Sequence, residues 1–250
     1  MLYYIGRWSR EIACRFVSWL GESEALDWLD IGCGTGALSQ TILEHCAPKS
    51  VLGIDPSDGF LAQARDMISD GRAKFEVGSA EALPCHDESI DVVTSALTYN
   101  FIPDRVGALK EMARVARSGG AVSFYVWDYP GGGIGFVTAF WKAAVTLDSE
   151  AKNLAESTRF PFCTRDTLRS EMLSAGFIDV IVEPIQVATR FADFEAFWYP
   201  FTLGAGPAPG YCVNLSEEAR SSLKRKLVDT LGTGAIELPA RAWAVRSVAI

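Results

Sequence analysis

Leu29-Asp30-Ile31-Gly32-Cys33-Gly34-Thr35-Gly36 joins a strand pattern to a helical one through three glycines. A short apolar run, Leu26 to Ile31, hands over through alternating glycines to a helical pattern from Thr35 to Cys46. Glycines at such a junction let the backbone turn tightly and approach a ligand closely, and the helix N-terminus that follows offers free N–H groups and about half a positive charge. The next apolar run, Val51 to Ile54, is stopped by Asp55-Pro56, because proline cannot join a central ladder. Asp55 stands 23 residues after Gly32, at the end of this second strand. A carboxylate placed there can accept both hydroxyls of a ribose. The combination predicts a nucleoside-cofactor site at the point where strand order reverses.

Outward from this stretch, strands and helices alternate. Trp8, Ile12, Phe16, Trp19 and Leu20 recur at helical spacing and predict an amphipathic helix over 8–20. Ser57 suits the N-cap of a helix after the second strand. Ala73 to Val77 and Ile90 to Ser95 read as the third and fourth strands, and Pro103 opens a helix with Val106, Leu109, Met112 and Ala116 on one face. Gly119-Gly120 is expected to end that helix, before a fifth strand from Ala121 to Trp127. Such alternation means a parallel sheet covered on both faces, a doubly wound α/β fold.

The second half is less regular. Pro130-Gly131-Gly132-Gly133 breaks the chain before an aromatic helix holding Phe136, Phe140 and Trp141. A helix over Thr164 to Ala175, capped by Gly176, precedes a strand from Phe177 to Val187. An aromatic, proline- and glycine-rich stretch follows, then a polar helix from Ser216 to Leu231 and a β-rich run from Ala242 to Ile250. One domain is expected over 1–250. Its core takes 21–129, 164–190 and 240–250, with lid insertions over 130–163 and 191–239 beside the N-terminal helix 8–20.

At 250 residues the chain can bury roughly 70–75% of its unfolded surface. Apolar residues make up 49% and charged ones 22%, a globular balance that rules out wholesale disorder. A formal charge of −8 with no local basic patch argues against nucleic acid and against an anionic membrane surface. No apolar stretch approaches the roughly 20 residues a spanning helix needs, and the first residues lack a signal core, so a cytoplasmic location is expected. The six cysteines form no CxxC pair and read as reduced thiols; with only His45 and His86 as imidazoles, no metal is expected.

Two cofactor classes use a glycine turn of this kind. The run satisfies GxGxxG/A through Gly32, Gly34 and Ala37, which fits a dinucleotide. Asp30, two residues before the first glycine, would repel a pyrophosphate but suits a cationic amine. S-adenosylmethionine carries an ammonium, a sulfonium and no phosphate, so the electrostatics favour it. In that light LDIGCGTG resembles the first motif of class I S-adenosylmethionine-dependent methyltransferases. GIDPS with Asp55, GSAEALP from Gly78 to Pro84, SIDVVTS from Ser89 to Ser95 and EMARVARSGG from Glu111 to Gly120 follow in the order of the type-11 branch, which includes ubiquinone and menaquinone C-methyltransferases. GRWSR near the start and LPARAWAVR near the end are similar to a bacterial subgroup of that branch.

The resemblance implies a Rossmann-like seven-stranded sheet with an antiparallel last strand and a helical, aromatic lid. It implies S-adenosyl-L-methionine as cofactor and S-adenosyl-L-homocysteine as product. Asp30 and the turn Gly32, Cys33, Gly34 and Gly36 would hold the methionine portion, Asp55 the ribose, and Pro56, Ala80 and Glu81 the adenine, with Ser95 lining the methionine pocket. Many relatives carry Asp where this chain has Ser79, which leaves the adenine amino contact open. Bland readings stand beside these: Asp30 as a strand-end cap, Asp55 as a turn former, Glu81 as a solvated loop acid, His45 as a helix-end dipole partner, His86 as a solvated turn residue, and Cys33 as a small filler. Arg7 or Arg10 either pairs with the cofactor carboxylate or makes a surface ion pair.

Aromatics at helical spacing, Tyr3, Tyr4 and Trp8 among them, are more often core than pocket. Ligand sites of α/β folds nevertheless open at strand carboxyl ends, which makes Tyr99, Asn100, Trp127 and Tyr129 acceptor-site candidates, with Trp198 from the lid. A sulfonium is already an activated methyl donor, so positioning can carry in-line transfer without a dedicated base, and no catalytic residue is assigned. The expectation is an enzyme that methylates a small molecule. A cofactor-binding sensor or partner subunit without transfer activity is the alternative, and a hydride-transferring Rossmann enzyme the third reading.

Overall fold

The computed structural model describes residues 6–249. Tyr3, Tyr4, Ile250 and the side chain of Arg7 lie outside the described parts. In chain order the elements are α1 (Arg7–Leu20), β1 (Asp27–Ile31), α2 (Ala37–His45), β2 (Ser50–Asp55), α3 (Asp58–Met67), β3 (Ala73–Val77), β4 (Ile90–Ala96), α4 (Arg105–Val115), β5 (Ala116–Trp127), α5 (Gly135–Leu147), α6 (Glu156–Arg159), α7 (Arg165–Ser174), β6 (Ile178–Phe191), α8 (Phe194–Trp198), α9 (Pro207–Asn214), α10 (Glu217–Leu231) and β7 (Ile236–Val248). The strands form one seven-stranded sheet in the order 3-2-1-4-5-7-6. β1 to β5 pair in parallel, and the last strands are antiparallel.

The residues divide into two compact units. The first holds Arg10–Val126, Arg165–Ile185 and residues 243–249. Its central strands are apolar on both faces because helices cover both: Trp28, Leu29, Ile31, Val92, Val93, Val122 and Phe124 are all buried. β3, at the sheet edge, buries only Phe75 fully. Ile12, Ala13, Phe16, Val17 and Leu20 form the buried stripe of α1, as its spacing predicts, with Phe16 4.7 Å from Tyr125. Ser57 caps α3 by accepting from the Phe60 N–H. Arg246, from the late arginine motif, donates to the Leu20 carbonyl and lies 5.9 Å over the Trp19 ring.

The second unit holds residues 6–9, Trp127–Thr164 and Gln186–Ala242. Its core is aromatic: Phe140 stacks on Phe201 at 4.4 Å, and Trp8 packs against Phe136 at 4.9 Å and Phe191 at 5.2 Å. Asp128, buried, is held by Arg241 of the LPARAWAVR motif and accepts from the Gly131 N–H, which closes the glycine break after β5.

Two expectations need correcting. Gly119-Gly120 does not end α4, which stops at Val115; both glycines belong to β5, where Gly119 takes φ +80° and the register shifts. There the Gly119 N–H donates to the Ala249 carbonyl and the Ala249 N–H to that of Gly120, so pairing with the last strand overrides the local turn signal. The last two strands are longer than expected, because pairing with each other carries β6 to Phe191 and starts β7 at Ile236. The aromatic stretch after Phe191 is helical, as α8, a 3-10 turn (Tyr199–Leu203) and α9. Among the described residues no helix is long and apolar enough to cross a membrane, and no three His, Cys, Asp or Glu side chains gather as a metal-ligand group.

Candidate functional site

The turn between β1 and α2 is built from left-handed glycines: φ is +68° at Gly32, +55° at Gly34 and +84° at Gly36. Two N–H groups, those of Gly32 and Cys33, donate to the Ile54 carbonyl at 2.7 and 3.0 Å, tying the turn to the end of β2. Asp55 completes the tie. One of its oxygens accepts from the Gly34 N–H at 2.9 Å and the other from the Ser57 N–H at 2.8 Å. Each oxygen thereby keeps lone-pair capacity for a further donor. Thr98 closes the turn from the other side, donating to the Gly32 carbonyl at 2.9 Å. A Cβ on Gly32 would lie 2.1 Å from the Thr98 methyl, whereas one on Gly34 would meet no atom within 4 Å. The cradle is therefore closed at Gly32 and open at Gly34.

Asp30 is 0% exposed. One oxygen accepts from the Ser39 hydroxyl at 2.7 Å, and the other, Oδ1, has no hydrogen-bond partner. Burial is the main force that pushes this carboxyl up to about 7; the Ser39 bond opposes it and the charge of Asp55 adds to it. Asp30 thus stands buried, bonded to α2, as a carboxyl that keeps its proton to higher pH than an ordinary one and has one oxygen unmet. Thr94, its register partner on β4, also has a hydroxyl without a partner. An unmet buried acceptor beside a backbone cradle fits a cationic ligand group, and the Asp55 lone pairs fit a diol. By both tests the residues suit S-adenosylmethionine.

The remaining predicted residues divide. Cys33 sends its side chain into a cluster with Leu61, Ala64 and Phe75, and burial raises its thiol, so only its backbone faces the turn. Ser95 is buried and donates to the Ile31 carbonyl, which locks β4 to β1. Pro56 is exposed next to Asp55, and Ala80 is half-buried. Glu81 accepts from the Ser79 hydroxyl and from the Asp104 N–H at the start of α4, bridging two loops on that side of the sheet. His45 ends α2, 3.6 Å from the Cys14 sulfur, and His86 lies exposed on its loop. Arg10 donates to Gln40 of α2.

Past β4, Leu97 adopts φ +56°, an outlier for a bulky residue. The turn directs Tyr99 and Asn100 into the unit. Tyr99 stacks on Phe124 at 4.2 Å, and its hydroxyl donates to Glu171 at 2.6 Å, itself held by Arg105. Asn100 is 4% exposed, and neither its amide oxygen nor its nitrogen has a partner. Trp127, Tyr129 and Trp198 belong to the other unit. Trp127 is buried; Trp198 packs against Phe201 with the Lys224 ammonium 6.0 Å over its ring; Tyr129 lines a cavity of about 500 Å³. Residue patterns did not single out Thr98 or Ser39. Only the strand-to-helix packing brings them to the turn, although both lie within a few residues of recognised motifs.

A methyltransferase-domain family matches residues 29–124, the stretch that carries the turn, Asp55 and β4. The chain is similar to the ubiquinone/menaquinone biosynthesis C-methyltransferase UbiE of Geobacter sulfurreducens, with 34% identity over 129 residues, 50% of this chain and 49% of that protein. It is also similar to the demethylmenaquinone methyltransferase of Roseiflexus castenholzii, with 31% identity over 61% of this chain and 68% of the relative. The chain thus spans about half the length of the first relative and two thirds of the second. In fold it resembles phosphoethanolamine N-methyltransferase 2 of Haemonchus contortus, solved with S-adenosylhomocysteine, with a TM-score of 0.60 and 18% identity over 94% of this chain and 52% of that one. Turn, strand order and relatives agree: the chain belongs to the class I S-adenosylmethionine-dependent methyltransferases, in the branch that holds the ubiquinone and menaquinone C-methyltransferases.

Proposed function

We propose that the chain transfers a methyl group from S-adenosylmethionine to a small-molecule acceptor. The observation that carries this is the cradle itself, three left-handed glycines at the start of α2, open at Gly34 and faced by Asp55. When bound, the cofactor supplies a methyl group on a sulfonium, displaced in line by the acceptor to leave S-adenosylhomocysteine. Asp55 accepts the ribose hydroxyls with the lone pairs its two backbone bonds leave over. An ammonium at the turn would favour the ionised form of Asp30, whose proton burial otherwise retains, and the two charges would then pair. Pro56, Ala80 and Glu81 border the adenine, and Ser95 holds the strand end beneath the methionine portion. Positioning of this kind supplies roughly 7–11 kcal/mol toward the barrier, so the chain's chief work is to orient and to exclude water.

Asn100 is the acceptor anchor. A buried amide with neither half paired costs about 1–3 kcal/mol per unmet group, and a hydroxylated ring satisfies both halves at once. The first relative's name, ubiquinone/menaquinone biosynthesis C-methyltransferase, supports a carbon of such a ring as the attacking atom. Calorimetric titration with S-adenosylmethionine, S-adenosylhomocysteine and NADH tests the cofactor: the first two bind and the third does not. Labelled-methyl transfer to dihydroxynaphthalene acceptors then tests the reaction. Asn100→Ala lowers kcat/KM for the acceptor at least tenfold while cofactor affinity stays within twofold. Binding without transfer to any hydroxylated ring would support the sensor reading, and tight NADH binding would overturn the cofactor assignment.

A further inference from the structure

The cavity of about 500 Å³ in the second unit lies wholly within residues 129–158 and shares no residue with the glycine turn. Tyr129, Val137, Trp141 and Ala155 give it an apolar floor. Trp141 has already spent its one polar group, donating its indole N–H to Glu156 at 2.6 Å, so its ring is what a ligand meets. Lys142 and Lys152, both exposed, stand at the mouth.

Among the described residues no carboxylate lies within ion-pair distance of either lysine, although acids are close in sequence. Each of those acids is engaged elsewhere. Asp148 accepts from the Tyr211 hydroxyl and the Glu150 N–H, Glu150 from Asn153, and Glu156 from Trp141. Glu156, also on the cavity wall, is pushed upward by burial, which favours its neutral form beside an anion. In a chain of net charge −8, two un-neutralised ammonium groups over an apolar recess make a local positive mouth.

We infer that this cavity binds an amphipathic anion, a molecule with an apolar body that ends in a carboxylate or phosphate. The body fills the floor beside Trp141 and Val137, and the headgroup meets Lys142 and Lys152. Binding here needs neither S-adenosylmethionine nor methyl transfer, so it stands or falls separately from the function proposed above.

The test is titration of the full chain, without cofactor, with decanoate, decyl phosphate, decanol and decyltrimethylammonium below their micelle concentrations, read by calorimetry and tryptophan fluorescence. The two anions bind about tenfold more tightly than decanol, and the cation more weakly than decanol. Lys142→Gln/Lys152→Gln, at two exposed positions the fold does not depend on, brings the anions to within twofold of decanol; Ala155→Phe, which fills the floor, weakens all of them at least tenfold. The inference is overturned if anions and decanol bind alike, if none binds, or if the lysine variant keeps the anion preference.

Discussion

Alanine at Gly34 and alanine at Gly32 carry the same backbone penalty but different surroundings, and the contrast tests the cradle. Both positions hold left-handed φ, +55° and +68°, where an alanine costs about 1–2 kcal/mol. At Gly34 the new methyl meets nothing within 4 Å, so that cost is the whole of the folding penalty. At Gly32 the methyl lies 2.1 Å from the Thr98 Cγ2 and 2.6 Å from its Oγ1. Thr98 must then move, losing its bond to the Gly32 carbonyl, about 1 kcal/mol, and shifting a packed loop for about 1–3 kcal/mol more. Gly34→Ala should therefore lose about 1–2 kcal/mol in urea unfolding and Gly32→Ala about 3–6 kcal/mol. In the function proposed above, the cofactor passes through the free space at Gly34. Calorimetry on Gly34→Ala should show S-adenosylhomocysteine binding weakened at least tenfold in a protein that is still folded. Wild-type affinity in that variant would refute the placement of the cofactor. Equal destabilisation by the two alanines would refute the steric account.

Asp30 is raised by burial from the ordinary carboxylate range near 4 to about 7, so the folded state holds a proton that the unfolded state releases between those values. The stability this proton lends is fully present below pH 4 and is lost as pH rises to 7, with a slope of up to about 1.4 kcal/mol per pH unit; Asp30→Asn should flatten that part of the urea-stability profile, and an unchanged slope would count against it. Arg241→Ala leaves Asp128 buried without a counter-charge, held by the Gly131 N–H, and should cost about 3–5 kcal/mol in urea unfolding, part of which Asp128→Asn restores in the double variant. Tyr99→Phe removes the 2.6 Å bond to Glu171 and should cost about 1–2 kcal/mol; a loss below 0.5 kcal/mol would show that bond to be idle.

The glycine turn and the Asp55 carboxylate beside it were legible because their parts are local. Gly32, Gly34 and Gly36 are contiguous, Asp55 follows one helix and one strand later, and apolar runs bounded by turn residues mark β1 to β4. Ser57 was legible as a cap for the same reason: its acceptor bond reaches only three residues ahead. Gly119 was misread because its conformation answers to Ala249, far along the chain, rather than to α4 beside it. Tyr99 reads as a strand-end aromatic until Glu171, 72 residues later, takes its hydroxyl.

Local residue patterns were enough for the fold class, the order of the parallel strands' elements and the glycine turn with its carboxylate, because those follow from backbone freedom, short-range periodicity and one fixed spacing. Which polar groups stay unspent depends instead on packing between distant segments. Asp30 Oδ1 and both halves of the Asn100 amide are open, while the hydroxyls of Tyr99 and Ser95 are taken. Packing also decided that Lys142 and Lys152 share one apolar recess while the acids near them turn elsewhere. A side chain's remaining hydrogen-bonding and charge capacity depends on partners brought from distant parts of the chain, and no local pattern encodes that.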